Sequence, residues 1–325
     1  MATYYGTYGQ KVQYLASDPS DPQIGQVWYN STSAVLKVRG VTTTGSWATG
    51  GNLNNARSGV GSAGTQTAAI GVGGFTTDYS KKVESYNGTS WSNETDFTSP
   101  IGRSGLAVVG TEPATLAWSG GDGVTYPAVV FLYDGSTWTT GTNMPIGRSS
   151  AAGSGTQTSA LSAGGYNDDG QPGQLNTCFL YNGSWTSTGN LNTARSGLGG
   201  SSGGTQTATL VFGGQISVAS TESFNGTSWT SVNSLNTARQ TVGGAGTQTA
   251  ALAIGGSPPA TGATELWNGT SWTSNPTGLA TARGTPPTQA GTQTLALNAS
   301  SNYPGAATEE WTGPGVGTTK TVTVS

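Results

Sequence analysis

A chain of 325 residues with 8% charged residues, a formal charge of -3 and no histidine excludes several classes of function at once. Twelve basic residues leave no basic surface for a nucleic-acid backbone, and without histidine there is no histidine-dependent triad and no imidazole zinc site. Glycine at 53 positions and so little charge would by composition alone suggest disorder, but ten Trp and twelve Tyr, placed periodically, are large apolar groups that a packed array can bury. The single cysteine, Cys178, rules out an intramolecular disulfide, and its apolar run NTCFLY reads as a buried structural thiol. No stretch approaches the roughly 20 apolar residues of a membrane span, and the N-terminus lacks a basic-then-apolar leader. The expectation is a protein made in a cytoplasm and not inserted in a membrane.

Residues 1–40 are not repetitive. Pro19 and Pro22 forbid a regular helix, and Gln26 to Tyr29 and Val35 to Val38 read as short strands around the polar turn Asn30 to Ser33. The phrase P-x-x-G-Q-V-W-Y-N-S-T, starting at Pro22, resembles a short segment common near the N-termini of tailed-bacteriophage structural and fibre proteins. It covers about a tenth of the chain, and a generic hairpin could use the same residues. The resemblance implies an attachment element that binds other virion proteins.

From Trp47 onward one unit recurs. Arginine closes an L-N-x-A-R or P-I-G-R phrase at Arg57, Arg103, Arg148, Arg195, Arg239 and Arg283, at spacings of 46, 45, 47, 44 and 44 residues. A tryptophan precedes each one, at Trp47, Trp91, Trp138, Trp185, Trp229 and Trp272. After the arginine come a Gly/Ser/Ala run (strand a), the turn GTQT (GTEP at Gly110), an apolar run closed by Gly-Gly (strand b), and a strand c ending in an aromatic residue. Asn-Gly or Asp-Gly then leads to the tryptophan of strand d, the strongest short hairpin signal because both turn residues tolerate positive φ. Strand b is apolar on both faces and needs cover from both sides, whereas strand a carries almost no side chain, as crowding about an axis would require.

Gly-Gly at the end of strand b, the aromatic and tryptophan across the c–d turn, and A-R-S-G phrases such as that at Ala56 resemble the kelch family of β-propellers. The match runs over residues 47–311, with a shorter aromatic-to-tryptophan spacing and none of that family's usual histidines. The expected fold is all-β, a six-bladed β-propeller of four antiparallel strands per blade, with residues 1–40 an attachment element and 41–325 the propeller. The last unit ends at Trp311 with no tryptophan after it, so the strand of Trp47 would complete the sixth blade. The alternative donor is the C-terminal TTKTVTVS.

For chemistry, no catalytic residue, metal or cofactor is expected. Two carboxylates could make a glycosidase, but the acids form no evident pair, and YDGSTW at Tyr133 resembles a sialidase Asp-box only loosely. The six arginines could ring an anionic ligand. Glu84, Glu222, Glu265 and Glu309, each two residues before the strand c aromatic, offer them structural pairing instead. The a–b and c–d turns are nearly uniform, whereas the b–c loops differ in every unit and gather Phe75, Asp78, Tyr79, Asp122, Tyr126, Tyr166, Asn167, Asp168, Asp169, Asn302 and Tyr303. Loops on a rigid scaffold are where binding resides, although drift would also diversify them. Asn167 to Gly170 lack the spacing and length of a calcium loop. The functional expectation is a non-enzymatic virion protein, of tail-fibre or adhesin type, whose tyrosines stack on a host-surface glycan. Assembly as a homo-oligomer and multivalency would raise weak affinities. A structural capsid or tail decoration and a glycan-cleaving enzyme are the alternatives.

Overall fold

The computed structural model describes residues 12–42, 44–170, 173–284, 288–300, 305–315 and 317–322. Among them the chain is all-β, with no helix, so none is long and apolar enough to cross a membrane. It divides into two compact units, residues 1–45 with 312–325, and residues 46–311.

In the first unit Val27–Asn30 and Val35–Val41 form the hairpin read from the sequence. Two further strands join it, Gln13–Leu15 in parallel beside Val27–Asn30 and Gly317–Thr321 antiparallel to Val35–Val41. The polar C-terminal run therefore pairs with the N-terminal hairpin. Asp18 ties this sheet together. Its carboxylate accepts hydrogen bonds from Trp28 Nε1 at 3.0 Å, Asn30 Nδ2 at 2.7 Å and Lys37 Nζ at 2.5 Å, over a Trp28 that is fully buried.

The second unit holds six four-stranded antiparallel sheets among the described residues, compatible with propeller blades. The first is Gly61–Thr65, Ala68–Val72, Val83–Tyr86 and Trp91–Asn93, the second Ala107–Thr111, Ala114–Trp118, Val130–Tyr133 and Trp138–Thr140. The third is Ala152–Gly155, Ala160–Ala163, Cys178–Tyr181 and Trp185–Ser187. The fourth is Gly199–Gly200, Thr209–Phe212, Thr221–Phe224 and Trp229–Val232, the fifth Gly243–Thr247, Ala250–Ile254, Thr264–Trp267 and Trp272–Ser274. In the sixth, Thr288–Gly291, Leu295–Ala299 and Thr308–Thr312 are followed at the edge by Ser46–Thr49, the strand of Trp47. Strand a of each sheet lies against strand a of the next, and that of the sixth against that of the first.

Local chemistry explains the repeat. At the c–d turn Asn87 Oδ1 accepts the N–H groups of Thr89 and Ser90 while Gly88 takes φ +88°, and Asn225, Asn268 and Asp134 form the same cap. In five sheets the hairpin then sets the strand c aromatic on the strand d tryptophan, and in the sixth Trp311 meets Trp47 without one, with centroids 4.9 to 5.3 Å apart throughout. The Gly-Gly after strand b is a close approach: a Cβ on Gly73 would stand 2.5 Å from the carbonyl oxygen of Arg103 in the next repeat.

Neighbouring sheets are joined by two polar devices. One is the glutamine of GTQT, which is more than a turn residue. Gln206 Nε2 donates to the carbonyls of Ala160 and Tyr181 in the preceding sheet, Gln157 and Gln293 reach back in the same way, and Gln248 donates to the Phe224 carbonyl and the Ser223 hydroxyl. Gln66, in the first sheet, donates to Ala296 and Trp311 of the sixth. The other is the tryptophan indole. Trp47, Trp91 and Trp272 donate to the hydroxyls of Thr264, Thr308 and Thr221, at the start of strand c in the preceding sheet. Where that threonine is replaced by Val130, the corresponding indole, Trp185 Nε1, is buried without a partner.

All six repeat arginines are buried. Four pair with the strand c glutamates, Arg57 with Glu84, Arg195 with Glu222, Arg239 with Glu265 and Arg283 with Glu309, at 2.6 to 3.0 Å. The other carboxylate oxygen caps the L-N segment, as Glu222 Oε2 does for Asn192 N at 2.8 Å. Removing one member of such a pair leaves a buried charge uncompensated. Glu222→Ala is therefore expected to lower unfolding free energy by about 3–5 kcal/mol, read as a shift in the denaturant midpoint.

The Asp18 cluster yields a second expectation. The Lys37 hydrogen bond, with those of Asn30 and Trp28, lowers the Asp18 pKa from 3.8 to about 2. A depressed carboxyl contributes stability above its unfolded pKa and loses it as pH falls through the folded value. The Asp18 carboxyl resonance should thus titrate near pH 2, and Lys37→Ala should move it back toward 3.8.

Candidate functional site

The b–c loops begin from a shared root. The residue after Gly-Gly pairs with the residue after arginine, Phe75 with Ser58, Tyr166 with Ser149 and Ser257 with Gln240, and in the second repeat the second glycine itself, Gly121, pairs with Ser104. Below that root the arginine fork holds both ends of the loop. Arg57 Nη1 donates to the carbonyls of Gly73 and Lys82, Arg195 Nη1 to those of Gly213 and Ser220, and Arg239 Nη1 to those of Gly255 and Ala263. The loop above can change length and composition while its stem stays fixed.

The first three loops bring their aromatic residues into an arc. Tyr79 lies edge-on to Phe75 at 4.8 Å, and its ring reaches over Gly123 of the next loop, where a Cβ would come within 2.7 Å of the Tyr79 hydroxyl. Tyr126 packs edge-on against Tyr166 at 5.5 Å, and the Tyr166 hydroxyl lies 3.2 Å from Asp168 Oδ2. Burial, then the facing Asp168, raises the phenol pKa of Tyr126, and Asp168 does the same to Tyr166. Both rings are therefore neutral hydrogen-bonding groups at physiological pH.

The other loop residues separate into two groups. Asp78, Asp168 and Asp169 are exposed. Asn167 is buried, donating to the Gly147 carbonyl at 2.5 Å and accepting the Asp169 N–H at 2.7 Å, so its amide is committed to holding the loop. Asp122 caps its own turn through the N–H groups of Val124 and Thr125 and the Thr125 hydroxyl. Burial opposes its ionisation, but those donors outweigh it and hold the carboxyl below its usual range. Asn302 and Tyr303 lie outside the described residues.

Around this arc the structure adds Lys81, Pro100, Ile101, Gly102 and Val124 to the residues expected from the sequence. Asp78, Tyr79, Lys81, Pro100, Ile101, Gly102, Asp122 and Val124 line a groove of about 480 Å³ between the first two loops. Val124 is 83% exposed, Ile101 46% and Ile216 in the fourth loop 91%, all on this face. A second cavity, of about 530 Å³, lies among the a–b turns of the first four repeats. Its lining of Gly, Ala, Val, Ser, Thr and Gln157 carries no charged side chain to orient a ligand.

A sequence signal for the tyrosine arc did exist. The second and third units read P-I-G-R where the others have alanine before the arginine. A Cβ on Gly102 would fall 1.8 Å from the Tyr79 carbonyl oxygen, and one on Gly147 1.7 Å from that of Tyr126. Glycine there admits the backbone that carries the two tyrosines.

Among the described residues no group of three or more Cys, Asp or Glu converges to hold a metal ion. Cys178 is buried, and burial pushes its thiol up to about 11, which keeps it protonated and unreactive at neutral pH. Neither the protein-family models nor the curated protein sequences compared with this chain match it.

Because the loop backbone occupies the space a methyl group would need, Gly102→Ala is expected to displace Tyr79. It should cost about 1–3 kcal/mol of stability, as overpacking does. Loss of the ring-current shift between Phe75 and Tyr79 in the proton NMR spectrum would report the displacement.

Proposed function

We propose that residues 46–311 form a closed six-bladed, kelch-like β-propeller, and that its b–c loop face is a non-catalytic surface for a host-cell glycan on a bacteriophage particle. The closure reading is supported by the strand of Trp47 at the edge of the sixth sheet and by the bonds from Gln66 and Trp91 to that sheet. The observation that carries the binding reading is the arc of Phe75, Tyr79, Tyr126 and Tyr166 across three loops. Aromatic faces flanked by polar groups suit the C–H faces and hydroxyls of sugars. The virion assignment, with residues 1–40 attaching to other virion proteins, rests on the N-terminal phrase at Pro22.

Catalysis is not part of this reading, because the loop carboxylate with the most defined surroundings, Asp122, is held ionised as a turn cap beside Arg103. The internal engagement of Asn167 and Asp122 favours a second reading, a structural capsid or tail decoration whose loops only hold themselves.

The full chain, fluorescently labelled and multimerised for avidity, should bind whole host cells and a glycan array saturably. Combined Tyr79→Ala, Tyr126→Ala and Tyr166→Ala should lower that binding at least tenfold without changing the thermal midpoint of the scaffold. Binding that survives the triple change would remove the face from consideration. Absence of any binding, with particles that fall apart when the protein is deleted, would establish the decoration reading.

A further inference from the structure

The c–d turns are not equivalent. Four of them carry Asn-Gly, at Asn87, Asn182, Asn225 and Asn268. In three, which read N-G-T-S-W, the asparagine Oδ1 accepts the N–H groups of the second and third residues after it, at 2.8 to 3.0 Å. The glycine of each leans on a threonine of the a–b turn. A Cβ on Gly88 would stand 3.2 Å from Thr67, one on Gly226 3.3 Å from Thr207 and one on Gly269 3.5 Å from Thr249. The third turn, N-G-S-W, is one residue shorter. The Asn182 N–H there donates to the Ser184 carbonyl, and no described residue hydrogen-bonds its carboxamide. Asn182, Gly183 and Ser184 are all exposed, and a Cβ on Gly183 would meet nothing within 4 Å.

An asparagine followed by glycine can lose its side-chain nitrogen without an enzyme. The backbone nitrogen of the glycine attacks the asparagine Cγ, and the new C–N bond closes a five-membered imide. The side-chain nitrogen leaves as ammonia, taking the proton that the glycine amide gives up. Solvent water then opens the imide at either carbonyl, which yields aspartate or isoaspartate. Glycine favours the attack because no Cβ shields its nitrogen. The carboxamide must also turn onto that nitrogen. At Asn87, Asn225 and Asn268 this breaks both bonds to Oδ1, and two such bonds slow the step by roughly tenfold or more. At Asn182 nothing has to break.

We propose that Asn182 is a modification site, converted to aspartate and isoaspartate through an imide closed by the Gly183 nitrogen, while the turns of the other three asparagines protect them. The inference is independent of the glycan-binding reading. Asp134 shows that a full-length turn accepts a carboxylate at this position, since its Oδ1 takes the same two N–H groups. At Asn182 the new carboxylate has no such donors and adds a negative charge to the surface. Isoaspartate also adds a main-chain carbon to the hairpin that sets Tyr181 on Trp185 at 5.0 Å. The Trp185 indole has no partner, whereas the other five repeat tryptophans donate to the preceding repeat. The hairpin that must deform for ring closure is thus the one least tied to its neighbour.

Full-length protein incubated at neutral pH in heavy-oxygen water, then digested and mapped by mass spectrometry, tests the site. Asn182 should take up the label at least tenfold faster than Asn87, Asn225 or Asn268, as a mixture of aspartate and isoaspartate. In denaturant, where the turns are gone, the four rates should agree within about threefold. Inserting a threonine between Gly183 and Ser184 restores N-G-T-S-W and should slow Asn182 at least tenfold. Should that variant fail to fold, the comparison of native with denatured wild type decides alone. A native Asn182 no faster than the capped three, a lead that persists in denaturant, or a folded insertion variant with an unchanged Asn182 rate would overturn the proposal.

Discussion

The buried guanidinium of each repeat is the interaction on which the rest of the second unit depends. In the L-N-x-A-R repeats one side chain holds the first glycine after strand b, the residue before strand c and the strand c glutamate, and the same glutamate caps the segment that carries the arginine. Planar, multidentate and permanently charged, arginine can satisfy three acceptors in fixed directions where lysine would act as a point charge. Burying it lowers its pKa, chiefly by desolvation, as for Arg57 and Arg195, with the glutamate working in the opposite sense. The network bonds the carbonyls at both ends of such a loop and the glutamate below it, leaving only the arginine Nε unpaired, which is why the residues above the stem are free to differ.

The departures from that network are correlated. Where the phrase becomes P-I-G-R, the Asn-Thr backbone that a glutamate would cap is gone, proline has no N–H to offer, and the strand c position holds Phe131 or Phe179. The same change puts glycine under the backbones of Tyr79 and Tyr126. Loss of the carboxylate, gain of the glycine and the tyrosine arc therefore coincide in adjacent repeats. Arg148 recovers partners from carbonyls, a hydroxyl and a ring, and its pKa falls to about 10 through desolvation. Arg103 does not recover them, and the groove lies beside it.

Most of the scaffold was legible in the sequence because the repeat shows its own tolerances. The turns at Asn87 and Asp134, the aromatic-tryptophan pairs and the arginine-glutamate spacing are local or recur at a constant offset. What escaped depends on contacts between repeats or on exceptions to them. Gln206 and its equivalents sit in a turn tetrapeptide, and only the neighbouring sheet shows that their amides join sheets. Gln13–Leu15 pairs in parallel, which no turn signal announces. Asp122 and Asn167 looked like ligand groups because nothing in their neighbours' identity shows that a turn and the Gly147 carbonyl already occupy them. Ile101 and Val124 were overlooked because apolar residues in a β-rich chain are expected to be inside.

Repetition also explains why any recognition on this fold must be asymmetric. A site built equally from all six loops would need the same side chains at every loop, and the loops share only their root. In the glutamate-paired repeats the guanidinium Nη atoms are bonded and the glutamates are doubly used, while Nε stays buried without a partner. Among the described residues only Arg103 leaves a buried Nη atom without a hydrogen-bond partner, in a repeat whose strand c glutamate is replaced by phenylalanine. That repeat and the one of Arg148 admit aromatic loops over glycine. The two repeats that lack the glutamate are thus the ones whose glycine admits the tyrosine-bearing loops, and one of them, that of Arg148, still holds its arginine fully bonded.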